Sequence, residues 1–402
     1  MKDIKLLDAC YLSVFKLNIS LIVRRMRYRA VLVVFLVSML VFLLFLSINL
    51  VKNPSRPDFF VGVDAVSDDV EDIKRLVDEV RSYTNLIVIG STGITENITK
   101  LDEVCQYAYE SGLYFIPYMH IIEDFPQPQW VEDARQRWGN RFLGLYAFDE
   151  AGGHQIDCAR PYMLVEEADN YTDAANKFVG NLSEYLKHYT DYYISAGDFP
   201  LFTSDYALYS FDYEAGYDAV FCEFGWNHSR LLNVALNRGA AKIQHKDWGV
   251  IITWTYWNPP YIESGDELYY DMVLAYLSGA KYVVVFNRPM EAQYGILTEE
   301  HLDAMKRFWR YVHANPRPEI DSLPSTQTAY VLPKDYAWGF RGVEDKIWGL
   351  WVDELSIEIG TDLNYLLHTH HIGLDIIYDD PKYYGEFGRY SKLIFWNGTV
   401  IE

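Results

Sequence analysis

Phe142-Leu143-Gly144-Leu145-Tyr146-Ala147-Phe148 runs directly into Asp149-Glu150, and Ala151-Gly152-Gly153 follows. Seven strand-like residues thus deliver a pair of carboxylates to a place where the backbone has to turn. In a parallel α/β architecture that place is the C-terminal mouth of the sheet, where active sites lie. A second run, Ala219-Val220-Phe221-Cys222, ends in Glu223 and continues as Phe224-Gly225-Trp226-Asn227. Acids at strand ends, set among aromatic residues, point to chemistry on a sugar.

Strand and helix patterns alternate on both sides of that stretch. Strands are expected at Phe59–Asp64, Leu86–Gly90, Tyr114–His120, Phe142–Phe148, Leu201–Ser204, Ala219–Glu223, Val250–Tyr256 and Tyr282–Asn287. Helical patterns lie between them, from Asp69–Tyr83, with Ile73, Leu76, Val77 and Val80 on one face, to Glu299–Ala314. Eight strand–helix units over residues 58–318 match a (β/α)₈ TIM barrel in number and length. A doubly wound open sheet competes, but it normally has fewer strands. Pro316-Arg317-Pro318 and Pro324-Ser325 mark a boundary, and residues 324–402 read as a small flavodoxin-like α/β domain. Its strands are Ala329–Leu332, Asp375–Tyr378 and Leu393–Trp396, with a helical pattern around Leu355–Leu367. The chain stops just after the third strand, so this domain is minimal or needs the barrel to cover its edge.

Half of the 402 residues are apolar and 16% are aromatic, mainly 33 Tyr and 11 Trp, so a large core is expected. Those rings suit sugar-binding clefts, although most of them can equally fill a barrel core. Ala30–Val51 carries no charge and is long enough for a transmembrane helix. Arg24, Arg25, Arg27 and Arg29 precede it, which keeps residues 1–29 in the cytoplasm and sends the remainder outside. No small-residue cleavage pattern follows, so 30–51 reads as an uncleaved signal anchor. Residues 1–29 hold seven basic and two acidic side chains, a net +5 within a chain total of −21, which leaves −26 beyond them. So acidic an outer part argues against nucleic acid as a partner. Sequons at Asn97, Asn170, Asn181, Asn227 and Asn397 all lie beyond the anchor, and only Cys105, Cys158 and Cys222 do, which is no disulfide scaffold.

The strand ends supply Asp64, Tyr118, His120, Tyr146, Asp149, Glu150, Glu223, Trp226, Trp254, Tyr256, Trp257 and Asn287. This acidic, aromatic, neutral-polar cup has hardly any Lys or Arg at its rim, which suits neutral glycans better than phosphorylated ligands. Glycosidic bonds need one protonated carboxylic acid and one ionised carboxylate. Glu150 is the candidate acid/base, with Asp149 behind it raising its pKa, and Glu223 the candidate second carboxylate. A capping role for Asp149-Glu150 and a structural role for Glu223 are the plain alternatives. His120 either orients an acid, contacts substrate or is buried and hydrogen-bonded. Trp254–Trp257 forms a candidate stacking wall, from which strand alternation would send some rings to the core. His368, His370 and His371 lack a zinc-type spacing, and no metal or other cofactor is expected. Phosphate loops, G-x-S-x-G and H-E-x-x-H are absent.

Residues of about 58–318 resemble the (β/α)₈ catalytic barrels of glycoside hydrolases, and the appended domain resembles the arrangement in trimeric β-galactosidases of that superfamily. Phe148-Asp149-Glu150-Ala151-Gly152-Gly153 and Cys222-Glu223-Phe224-Gly225-Trp226-Asn227 are similar to stretches of membrane-anchored archaeal surface proteins of uncharacterised function. The resemblance implies Glu150 as acid. It departs at strand four, where the large retaining clan has Asn-Glu and this chain Asp149-Glu150. It departs again at strand seven, the clan's nucleophile position, where this chain has Trp254, Tyr256 and Trp257. The expected activity is glycan hydrolysis; a catalytically inactive glycan-binding or surface-layer barrel is the rival. A homo-oligomer through the aromatic-rich small domain is compatible with either.

Overall fold

The computed structural model describes residues 37–40, 56–119, 127–192, 199–226, 228–257, 260–288, 296–317, 328–342 and 344–402. The expected anchor lies outside them except for Val37–Leu40, which are helical, and His120 lies outside them too. No helix among the described residues is long and apolar enough to cross a membrane. The chain divides at Arg56/Pro57, and the barrel and small domain belong to the second unit.

Eight parallel strands form the barrel: β1 (Phe60–Ala65), β2 (Leu86–Ile89), β3 (Tyr114–Pro117), β4 (Leu145–Tyr146), β5 (Leu201–Asp205), β6 (Ala219–Gly225), β7 (Asp247–Thr253) and β8 (Tyr282–Asn287). They are hydrogen-bonded in the order β3-β2-β1-β8-β7-β6-β5-β4. Parallel bridges Phe115↔Phe142 and Tyr118↔Tyr146 join β3 to β4 and close the ring. After the strands come α1 (Val70–Val80), α2 (Ile98–Glu110), α3 (Gln127–Trp138), α4 (Tyr171–Tyr192), α5 (Tyr209–Ala215), α6 (Arg230–Ile243), α7 (Gly265–Leu277) and α8 (Glu299–Ala314). Local chemistry starts these helices: the Asp69 carboxylate caps α1 by accepting from the N–H groups of Glu71 and Asp72, and Ser264 with Glu267 forms a capping box on α7.

Inside the ring, Phe60 stacks on Tyr282 at 5.1 Å, and Tyr114 and Phe202 meet that pair edge-on. These rings plug the barrel and form a floor under its mouth. Much of the aromatic excess is therefore core. The run Phe142–Phe148 supplies only a two-residue strand, because Gly144 at φ +149° bends the chain close to the Pro200 carbonyl. The segment after β7 is not a longer strand but a two-stranded antiparallel ribbon, Thr255–Trp257 against Pro260–Ile262.

The small domain holds β9 (Thr328–Leu332), α9 (Leu355–His370), β10 (Leu374–Tyr378), β11 (Lys392–Phe395) and a fourth strand, β12 (Val400–Ile401). The sheet order is β10-β9-β11-β12, parallel except for β12. Helix α6 of the barrel covers its β10 edge. A Cβ at Gly239 would lie 2.3 Å from the Ile376 carbonyl oxygen, so only glycine lets helix and strand meet this closely. Next to it, Arg238 donates to the Asp375 carboxylate at 2.7 Å and to the carbonyls of Ile372, Leu374 and Ser278. Asp375 is fully buried, and Tyr390 and Lys242 also bind it. Removing one partner of such a pair costs about 3–5 kcal/mol. Arg238→Ala is accordingly expected to destabilise the protein by about that amount in urea unfolding, whereas an exposed ion pair such as Arg81–Asp78 should contribute under about 1 kcal/mol.

Candidate functional site

The turn after β4 is held by neighbours rather than by its own chain. Phe148 (φ +46°) and Glu150 (φ +55°) both adopt left-handed backbone, a costly choice for side chains of this kind. The Thr203 hydroxyl donates to the Phe148 carbonyl, and the Glu150 N–H donates to the Ser204 carbonyl at 3.0 Å. A short helix, Ala151–Ile156, starts directly after Glu150. The buried Asp205 carboxylate accepts the N–H groups of Gly152, Gly153, Tyr206 and Ala207 at 2.6–3.0 Å. One side chain thereby ties the end of β5 to the helix that carries Glu150.

These elements surround a cavity of about 360 Å³ at the C-terminal mouth of the barrel. Four carboxyls line it: Asp64 from β1, Asp149 and Glu150 after β4, and Glu223 from β6. The rings of Tyr118, Tyr146 and Phe286 form apolar walls, and Arg288 brings one cation. Tyr146 donates its phenol proton to Asp149 Oδ1 at 2.5 Å. Ser204 Oγ lies 2.9 Å from Asp149 Oδ1 and 2.9 Å from Glu223 Oε1. One hydroxyl has one proton to give, so two carboxylates cannot both be served by it and a carboxyl proton belongs in this cluster.

Electrostatics assign that proton. Glu223 is pushed well above the ordinary range by burial, then by the charges of Glu150 and Asp149 and by a hydrogen bond to Glu150. Glu223 is therefore the carboxyl that holds the proton. Asp149 is raised by burial and Glu150, against the hydrogen bonds from Tyr146 and Ser204. Asp64 is pushed up to about 8 by burial and the Asp149 charge, with Arg288 opposing. Among the described residues its Oδ1 has no hydrogen-bond partner. His154, one turn beyond Glu150, stands 3.3 Å from the Glu150 carboxylate, and that contact raises its pKa. Below β5, Asp212 is fully buried, and burial followed by the nearby Asp205 charge raises it far above the usual value.

Asp64, Tyr118, Tyr146, Asp149, Glu150 and Glu223 are thus brought together as the sequence suggested. Three other expected contacts lie elsewhere. Trp254 is in the core, with its ring 4.2 Å from His301 and its N–H on the Phe286 carbonyl. Asn287 Oδ1 accepts the Leu297 N–H, and its side chain borders a different cavity. Trp226 is partly exposed outside the central cavity, beside Tyr206 and His228. Tyr256 and Trp257 lie in the antiparallel ribbon. Ser204, Thr253, Thr255, Phe286 and Arg288 line the cavity without having been singled out. Arg288 is the one Lys or Arg among the described lining residues. Among the described residues, no group of three or more His, Cys, Asp or Glu is arranged to hold a metal ion.

No family model matches the chain, and no curated protein matches it. Solved structures with a similar course include α-L-fucosidase isoenzyme 2 from Paenibacillus thiaminolyticus, at TM-score 0.48 and 10% identity over 83% of this chain. The chain spans 59% of that enzyme's length. The catalytic module of a family 98 glycoside hydrolase from Streptococcus pneumoniae, in complex with the LewisY pentasaccharide, gives 0.47 and 11%, covering 84% of this chain and 65% of the module. The GH99 endo-α-mannosidase from Bacteroides thetaiotaomicron gives 0.39 and 12%, covering 62% and 82%. Likeness this distant assigns no reaction; the cavity's own geometry has to.

Proposed function

We propose that this chain is a glycoside hydrolase acting on a neutral glycan, with Glu223 as proton donor and Glu150 as the opposing carboxylate. One observation carries the reading: carboxyls from two separate strands line one ring-walled cavity, with Ser204 Oγ 2.9 Å from both Asp149 Oδ1 and Glu223 Oε1. The roles are the reverse of those expected from the sequence, because Glu223 is the more deeply buried acid. Substrate enters the cavity that both carboxyls line. The glycosidic oxygen then accepts the Glu223 proton. As the bond to the anomeric carbon breaks, Glu150 either attacks that carbon or takes a proton from water. The neutral Asp64 carboxyl, Asp149 and Arg288 are positioned to bind sugar hydroxyls, and the Tyr118, Tyr146 and Phe286 rings to face C–H surfaces.

The reading includes an external, membrane-anchored location. Its support is the charge-free Ala30–Val51 run behind four arginines. The test is release of reducing sugar from a panel of neutral glycans. Glu150→Gln is expected to lose at least about 100-fold in rate with an unchanged circular dichroism spectrum. A panel that is bound but never cut by the unaltered protein would shift the assignment to a glycan-binding barrel.

A further inference from the structure

A second cavity, of about 340 Å³, lies between the start of α6 and the small domain. We infer that it is a separate binding site for a neutral sugar, with none of the acids of the barrel mouth in its described lining. Its walls include the rings of Trp338 and Phe340, 4.8 Å apart, together with His228, Asn233, Thr361 and Asn364. Apolar ring faces beside amide and hydroxyl groups are what a pyranose requires, and the volume is at the lower end of the roughly 300–1,000 Å³ of small-molecule sites.

Charge excludes the other common ligands. Arg341 borders the cavity, but its guanidinium nitrogens are committed to Asp157 and Asp345 at 2.6–3.3 Å. His228 is held neutral by burial and by the nearby Arg341 and Arg230. Among the described lining residues a phosphate would therefore find no uncommitted cation, and an ammonium no carboxylate.

Two connections lead from this cavity to the barrel mouth. Asn233 donates to the main-chain carbonyl of Glu223 at 2.8 Å. Between the cavities, the buried Tyr206 ring packs against Gly153 of the Glu150 helix and meets Trp226 at 6.1 Å, and Trp226 meets His228 at 5.2 Å. A glycan spanning both cavities would pass over Trp226, an exposed ring of this row. That the two cavities hold parts of one chain rests on the hydrolase reading; the second site itself does not.

The test is calorimetric titration of the full chain with maltotetraose, cellotetraose and mannotetraose. Thr361 and Asn364 are exposed positions of α9 that line the cavity, so changing them spares the core. At least one probe should bind, with about tenfold weaker affinity in Thr361→Trp, which fills the space, and about threefold weaker in Asn364→Ala. Hydrolysis of nitrophenyl monoglycosides, which occupy only the barrel mouth, should be the same in both variants as in the unaltered protein. Absence of binding by all three probes, or unchanged affinity in both variants, would overturn the inference. Binding that depends on Thr361 in a protein that cuts nothing would leave the inference standing and remove the hydrolase reading instead.

Discussion

Glu223→Gln should reduce hydrolysis of a natural glycan by about 10³-fold or more while making the folded protein no less stable. The amide keeps the shape of the carboxyl and a contact to Ser204 Oγ, which lies 2.9 Å from Glu223 Oε1. What it removes is the proton that burial and the neighbouring acids hold on this side chain. The leaving oxygen then departs unprotonated. An aryl glycoside with a good leaving group needs that proton least, so the variant should recover much of its rate on nitrophenyl substrates. Equal losses on both substrate types would assign the donor role to another acid, Asp64 being next in line. Ionisation of Glu223 costs free energy in its buried site, so the substitution removes a liability from the fold as well as a catalyst.

The second large effect concerns pH. Asp64 titrates at about 8 in the folded protein, against an ordinary value of 3.8. Below about pH 4 the group is protonated whether the chain is folded or not, and its contribution to stability is fully present. Between about 4 and 8 the unfolded chain gives up the proton and the folded chain keeps it, so stability falls as pH rises. Asp149, Glu223, Asp205 and Asp212 are raised by burial as well and act in the same direction. The carboxylates lowered by ion pairs, such as Asp157 beside Arg341, titrate below this window and do not oppose it. Thermal unfolding should therefore occur on the order of 10 °C higher at pH 5 than at pH 8. Asp64→Asn should flatten that slope, since an amide has no proton to lose. A midpoint that is flat or rising over the same range would contradict the buried, protonated acid cluster.

Much of this was legible in the sequence where hydrophobic runs were long and bounded. Tyr282–Asn287 and Glu299–Ala314 coincide with β8 and α8, and the acids at the ends of β4 and β6 do converge on one cavity. The misplacements follow from period and burial. Strand alternation sends Ile251, Thr253 and Thr255 into the cavity and Trp254 into the core, so the most conspicuous ring of that segment was the wrong one to choose. Ser204 and Arg288 carry no signature in one dimension: a hydroxyl at a strand end looks like any other until two carboxyls are found on either side of it. The rise of Glu223 depends on its depth, which is a property of the fold rather than of the residue.

The close seat of α6 on β10 makes the two lobes depend on each other physically. Gly239 and Arg238 belong to the barrel, yet they meet a strand edge offering the Ile376 carbonyl and the Asp375 carboxylate. Cutting the C-terminal lobe away would strand a guanidinium and a bare helix flank in solvent, so a truncated barrel should be less stable than the whole.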